Sequence, residues 1–154
     1  MKNIIHITFY LLLLMTSSLV MALDSHKKDS GKLISLFFDA ARIGNNEVLN
    51  EFISAGFPMN ERNAQSYTAL MVTAYYGHES SVELLLNKGA NACIEDKRGN
   101  TALMGALLKG EIKIARKLYN ANCSYGDHRN KSGLSLDEFA TLFGQQKVLD
   151  SFNK

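Results

Sequence analysis

Three glycines, Gly44, Gly77 and Gly110, stand 33 residues apart at each step. Gly56, Gly89 and Asn122 keep the same interval of 33, and Asn is the usual substitute for Gly where a helix ends in a left-handed residue. A fixed period of this length means a chain built of repeats, none of which buries its apolar face alone. Ser35, Thr68 and Thr101 are also 33 apart, and each is a hydroxyl residue suited to open a helix as its N-cap. The unit is clearest in Ala69 to Asn91. One helical pattern runs to Gly77-His78, and a second, with Val82, Leu84, Leu85 and Leu86, runs to Gly89-Ala90-Asn91.

The last unit needs one more residue. Gly99 to Gly133, Thr101 to Ser135, Ala106 to Ala140 and Gly110 to Gly144 are each 34 apart, which puts an insertion between Cys123 and Asn130. Ser135 with Glu138 has the form of a capping box. Asp137 stands where Leu70 and Leu103 stand, a polar residue at a core position, as expected of a terminal repeat that lacks one neighbour. The second helices should carry the main apolar rows: Val48, Leu49, Phe52 and Ile53; Val82, Leu84, Leu85 and Leu86; Ile112, Ile114, Ala115 and Leu118; then Val148, Leu149 and Phe152. Small residues at Ala40-Ala41, Thr73-Ala74 and Ala106 let neighbouring first helices approach closely.

The stretch TALMVTAYYGHESSVELLLNKGAN resembles the ankyrin repeat, in which Thr-Pro-Leu-His opens the first helix, Gly-His ends it and Leu-Leu-Leu precedes Gly-Ala. Thr68, Leu70, Ala74, Gly77, His78, Val82, Leu84, Leu85, Gly89 and Ala90 match. Ala69 replaces the Pro and Met71 the His. The resemblance covers about residues 32–154 and implies an all-α ankyrin-repeat solenoid. Four helix-turn-helix repeats with protruding loops are expected at about 32–60, 61–93, 94–127 and 128–154, the outer two acting as caps. It also gives His78 a structural role, hydrogen-bonding a loop.

Ahead of the repeats, Lys2 supplies a positive charge, Ile4 to Val20 is mostly apolar around Leu11 to Met15, and Val20-Met21-Ala22 fits a signal peptidase. Residues 1–22 therefore read as a signal peptide, and residues 23–31 as a flexible polar leader. An uncleaved membrane anchor is the alternative, because the apolar run is borderline in length for spanning. Export predicts a periplasmic protein with no membrane contact after cleavage.

The 154 residues suffice for one domain, with 46% apolar and 21% charged residues, which excludes a disordered chain. A net charge of +2 without a basic run gives no footing for nucleic acid. No His-x-x-x-His or Cys-x-x-Cys pattern suggests a metal. Glu95-Asp96 and Asp137-Glu138 are adjacent pairs better read as solvated caps than as an acid–base couple, and no phosphate loop or nucleophile elbow occurs. No catalytic residue, metal or cofactor is expected, and the chain reads as a non-enzyme. Cys93 and Cys123 form an even count in an exported chain. They lie 30 apart, three positions out of phase with the period. A shift of that size along stacked loops brings them within disulfide reach, while two free buried thiols remain the alternative.

In ankyrin-like stacks, first helices and loop tips line a concave face, and the two residues before the first glycine are its variable positions. Here they are Arg42-Ile43, Tyr75-Tyr76, Leu108-Lys109 and Leu142-Phe143. Ile43, Tyr75, Tyr76, Leu108, Leu142 and Phe143 make an apolar, aromatic stripe where a solvated surface is usually polar. Arg42, Lys97, Arg98, Asn100, Lys109 and Lys131 are its expected rim. In the alternative, Leu142 and Phe143 fold into the C-terminal cap and Tyr75 packs sideways. The resemblance thus implies a monomeric scaffold that binds another protein through that face.

Gly99 to Ala106, Lys109-Gly110-Glu111, Ile114-Ala115 and Ala90 to Cys93, with the export signal, are similar to small bacterial periplasmic ankyrin proteins, some of them associated with catalase and tolerance of peroxide. That likeness implies support of a haem enzyme that handles peroxide. The other expectations are an immunity protein that neutralises a toxin delivered to the periplasm and a secreted effector that binds a host protein.

Overall fold

The computed structural model describes residues 29–121, 123 and 125–153. The expected signal peptide, residues 23–28 of the expected leader, and Asn122 as an expected helix-ending residue lie outside them. The chain divides into two compact units, Met1–Ser35 and Leu36–Lys154. The boundary falls within the first described helix, α1, which spans 29–43. Residues 29–31, expected to be flexible leader, are therefore helical.

After α1 come α2 (Asn46–Ser54), α3 (Ala69–Tyr75), α4 (Glu79–Asn87), α5 (Ala102–Lys109), α6 (Ile112–Tyr119), α7 (Leu136–Leu142), α8 (Gln146–Asp150) and a 3-10 turn over Ser151–Asn153. The described residues contain no strand, only an isolated bridge between Arg129 and Ser135. These are the expected four helix pairs. First helices stack on first helices, α3 on α5 and α5 on α7. Second helices do the same, α2 against α4 and α4 against α6.

The hydroxyl caps follow the period from the second repeat onward. Thr68 Oγ1 accepts from the backbone N–H of Met71 at 3.3 Å, Thr101 Oγ1 from Met104 at 3.5 Å and Ser135 Oγ from Glu138 at 3.2 Å. Glu138 completes the box by accepting the Ser135 N–H at 2.8 Å. Met71, standing where the family pattern has His, offers its sulfur to the Thr68 N–H at 3.4 Å. Ser35 departs from expectation, because it lies inside α1 and caps nothing. The other three caps each follow a tight loop, whereas residues 29–34 ahead of Ser35 are helical.

Those loops share one construction. Asn63 Oδ1 accepts the N–H of Gln65 and of Tyr67, each at 3.0 Å. Asp96 Oδ1 accepts from Arg98 and Asn100 at 2.7 and 2.9 Å, and Asn130 Oδ1 from Ser132 and Leu134 at 3.0 and 3.1 Å. One side-chain oxygen thus organises each loop, competing with regular structure for the same donors.

The core is continuous from repeat to repeat. Leu49, Val82, Leu85, Ile114, Ala115, Leu118 and Leu149 of the second helices are buried, as are Leu70, Ala74, Leu103, Met104 and Ala106 of the first. Ile112 breaks its row: it begins α6 and is 48% exposed. In the first repeat Phe37 lies within 4.7 to 5.8 Å of Phe38, Phe52 and Phe57, a cluster of four rings. At the other end Tyr119 lies between Tyr125 and Phe152, and burial pushes the Tyr125 hydroxyl up to about 12.

In the second and third repeats the residue after the helix-dividing glycine reaches back to the repeat before it. His78 Nε2 donates to the Arg42 carbonyl at 2.8 Å, the structural role expected of it, and its ring covers Gly44 so closely that a Cβ there would meet it at 2.7 Å. The Glu111 carboxylate covers Gly77 in the same way, 2.7 Å from a Cβ. Gly44 also has a φ of +72°, so both conformation and space demand glycine there.

Candidate protein-binding face

The stripe read from the sequence is exposed along its whole length. Ile43 is 64% exposed, Tyr76 52% and Leu142 65%, and Tyr75, Leu108 and Phe143 are also exposed. They sit at or just past the ends of α1, α3, α5 and α7, because the opposite side of each first helix is taken by the core. The placement repeats because the stack repeats. Neither Leu142 nor Phe143 is absorbed by the cap: Phe143 rests on Phe139 at 4.6 Å yet keeps 41% of its surface. Tyr75 packs edge-on against Tyr76 at 5.4 Å, and Tyr76 stacks on His78 at 6.5 Å.

The charged residues assigned to the rim divide by what holds them. Lys109 Nζ lies 5.0 Å over the Tyr75 ring, a cation–π contact between neighbouring repeats. Arg42 is clasped by Asp39 at 2.8 Å, and the hydrogen bond and charge of that carboxylate raise its guanidinium above its usual value. Lys97 Nζ donates to the Ala64 carbonyl at 2.6 Å, binding one loop tip to the one before. Lys97 and Arg98 also line a surface recess with Ala64, Gln65, Tyr67 and Asp96. Arg98 and Lys131 are exposed. Asn100 leaves the rim, since its Oδ1 accepts from Asn130 Nδ2 at 2.9 Å and fastens the third loop to the fourth.

Further bonds make the loops a ladder. Arg62 donates to the Glu95 carbonyl at 2.7 Å, the Asn91 N–H to Asn60 Oδ1 at 3.0 Å, and the Lys131 N–H to the Arg98 carbonyl at 2.8 Å. His128 places Nε2 2.9 Å from the Gly99 carbonyl and Nδ1 3.2 Å from the Glu95 carboxylate. Sequence reasoning read Asp96 only as half of a solvated pair and gave Asn63 and Asn130 no role, yet these three residues shape the tips. Their spacing of 33 and 34 was the available signal.

Cys93 and Cys123 are joined in a disulfide with their Cα atoms 5.4 Å apart, so of the two readings of these cysteines the structure takes the bonded one. The bond ties the loop after α4 to the loop after α6, next to the segment with the extra residue. Among the described residues no group of three His, Cys, Asp or Glu side chains could hold a metal ion, and no helix is long and apolar enough to cross a membrane.

Comparison with known proteins agrees with this architecture. The family model for ankyrin repeats, in three copies, matches residues 37–128. A putative ankyrin repeat-containing protein of Treponema pallidum is 33% identical over 107 residues, 68% of this chain and 35% of its own. Protein HOS4 of Saccharomyces cerevisiae is 32% identical over 105 residues, 62% of this chain and 10% of its own. A putative ankyrin repeat protein of Pseudomonas aeruginosa is 34% identical over 56 residues, 36% of this chain and 33% of its own. The chain thus spans a third or less of the length of most of these relatives, and little more in the Treponema protein.

Proposed function

The chain belongs to the ankyrin repeat family, and on that premise we propose that it is a non-enzymatic, monomeric scaffold that captures another protein on the face formed by its first helices. The observation that carries this reading is the unbroken row of exposed apolar side chains, from Ile43 through Tyr75, Tyr76 and Leu108 to Leu142 and Phe143. Every repeat contributes to the row from one or both of the two positions before its helix-dividing glycine, with Arg42 and Lys109 at the remaining two, and a recurring contribution of this kind is what an extended binding surface requires. Tyr76→Ala with Leu108→Ser should abolish partner capture and leave the thermal melt unchanged, since both side chains lie outside the core. A pull-down unaffected by the pair would refute the assignment.

The finer reading is of an exported protein that supports a periplasmic catalase and tolerance of peroxide. Its support is the likeness of Gly99 to Ala106 and the neighbouring segments to small periplasmic ankyrin proteins, together with a disulfide suited to an oxidising compartment. Affinity purification from periplasm followed by mass spectrometry should recover a haem peroxide-handling enzyme, and loss of the protein should sensitise the cell to hydrogen peroxide. Recovery of a delivered toxin would favour the immunity role instead, and a host protein the effector role.

A further inference from the structure

The side chain set against each helix-dividing glycine changes chemistry along the stack. His78 covers Gly44 and donates from Nε2 to the Arg42 carbonyl at 2.8 Å. Gln145 points Nε2 toward Gly110, 3.6 Å from where a Cβ would stand. Both bring a donor to their joint. Glu111, between them, covers Gly77 with a carboxylate, which only accepts. Its side chain has no hydrogen bond or ion pair among the described residues. It is half-buried, and its oxygens still reach solvent, because no buried side-chain N or O among the described residues lacks a partner.

The cations nearby leave that carboxylate open. Lys109 Nζ sits over the Tyr75 ring at 5.0 Å, Arg42 is clasped by Asp39, and Lys117 is shared by Glu79 and Glu83. Gly77 directly follows Tyr76, which is 52% exposed, so the carboxylate interrupts the apolar row between its second and third contributions. A wholly apolar or acidic ligand laid over the row would strip water from Glu111 and return nothing, which costs affinity. A cation at that point offsets the loss. Guanidinium suits the place better than ammonium. Its planar fork pairs with a carboxylate while its face lies on an aromatic ring, and its N–H groups supply the donor that His78 supplies one repeat earlier.

We propose that the partner segment captured by this face carries an arginine flanked by apolar residues, its guanidinium paired with Glu111 and laid on the Tyr76 ring. The inference rests on the stripe being the binding site. The disulfide-bonded protein is used to select binders from a displayed library of randomised peptides. Enriched sequences should share an arginine with large apolar residues on both sides. Alanine in place of that arginine should weaken an enriched peptide about tenfold. Glu111→Gln should weaken the arginine peptide by a similar factor and leave the alanine peptide unchanged, a coupling that a purely structural role of Glu111 would not give. Glu111→His, which supplies the donor found in the joint before, should lose the preference for arginine likewise.

Enriched peptides without arginine, or losses from the two changes that simply add, would overturn the pairing with Glu111. If such peptides are still lost with Tyr76→Ala/Leu108→Ser, the stripe itself stands. Peptides retained by Tyr76→Ala/Leu108→Ser would overturn the stripe, and an absence of enrichment would overturn both. Circular dichroism of each variant checks that the fold is kept.

Discussion

Ser66 holds a φ of +65° at the place where the next two loops have Gly99 and Gly133. A side chain in the left-handed region costs about 1–2 kcal/mol, and glycine recovers that at an entropic cost of about 0.5–1. Ser66→Gly should therefore raise the melting temperature by about 3 °C, read in a calorimetric scan. The same loops explain what individual residues disclosed. Thr68, Thr101 and Ser135 were legible because a hydroxyl at a helix start has one main use. Asn63, Asp96 and Asn130 were not, because one is a carboxylate among two carboxamides and each sits in a polar stretch where such residues are common. Glu138 adds a pH effect. The Ser135 N–H, then Arg129, hold its carboxyl below its usual value. A lowered folded-state value gives stability present above the unfolded value near 4.5 and lost as pH falls through the folded one. Below about pH 4.5, the native protein should lose stability more steeply than Glu138→Gln, as urea midpoints measured across that range would show.

Among the elements, the glycine between paired helices separates two demands that sequence alone merges. Gly44 and Gly56 both have positive φ, +72° and +83°, yet only Gly44 has the His78 ring against it. Gly56→Ala should lose about 1 kcal/mol from backbone strain, and Gly44→Ala should lose more. Combining Gly44→Ala with His78→Ala in a double-mutant cycle should show non-additivity; additive losses would mean that the contact contributes nothing. Leu85, fully buried in α4, is the test of the stack itself. Leu85→Asp buries an unpaired charge and should abolish the cooperative melt, whereas a shift of a few degrees would contradict the register. The helix pairs were readable because punctuation and apolar rows repeat. Ser35 as a cap and Ile112 as core are misread where the local setting departs from the period, beside residues 29–31 as leader and Asn100 as rim. Residues 29–34 ahead of Ser35 are helix, Ile112 sits in the first turn of α6 with solvent on its side, and Asn100 is taken by Asn130.

At the level of the whole molecule, each repeat touches mainly its neighbours, so stability is the sum of the units and the joints between them. The disulfide ties the end of the second repeat to the end of the third, while His128 and the Asn130–Asn100 pair fasten the third repeat to the fourth, across the inserted residue. Cys93→Ser/Cys123→Ser should lower the unfolding free energy by roughly 3–4 kcal/mol in the loop-entropy account. Faster hydrogen exchange should appear first in α5 and α6, the helices between the two cysteines; uniform acceleration across all repeats would count against a local joint. The stripe was legible at this scale because each of the four dipeptides before four glycines carries at least one large apolar residue. Its partner was not, since a face states what chemistry it accepts and not which protein supplies it. The disulfide also has a mechanical meaning. Pulled from its two ends, the oxidised chain keeps the loop closed by Cys93 and Cys123, a sequence separation of 30, out of the line of force, hiding roughly 100 Å of contour length. A reductant would release that length as one added step in a force–extension trace, so the same stack would yield as a short tether when oxidised and a longer one when reduced.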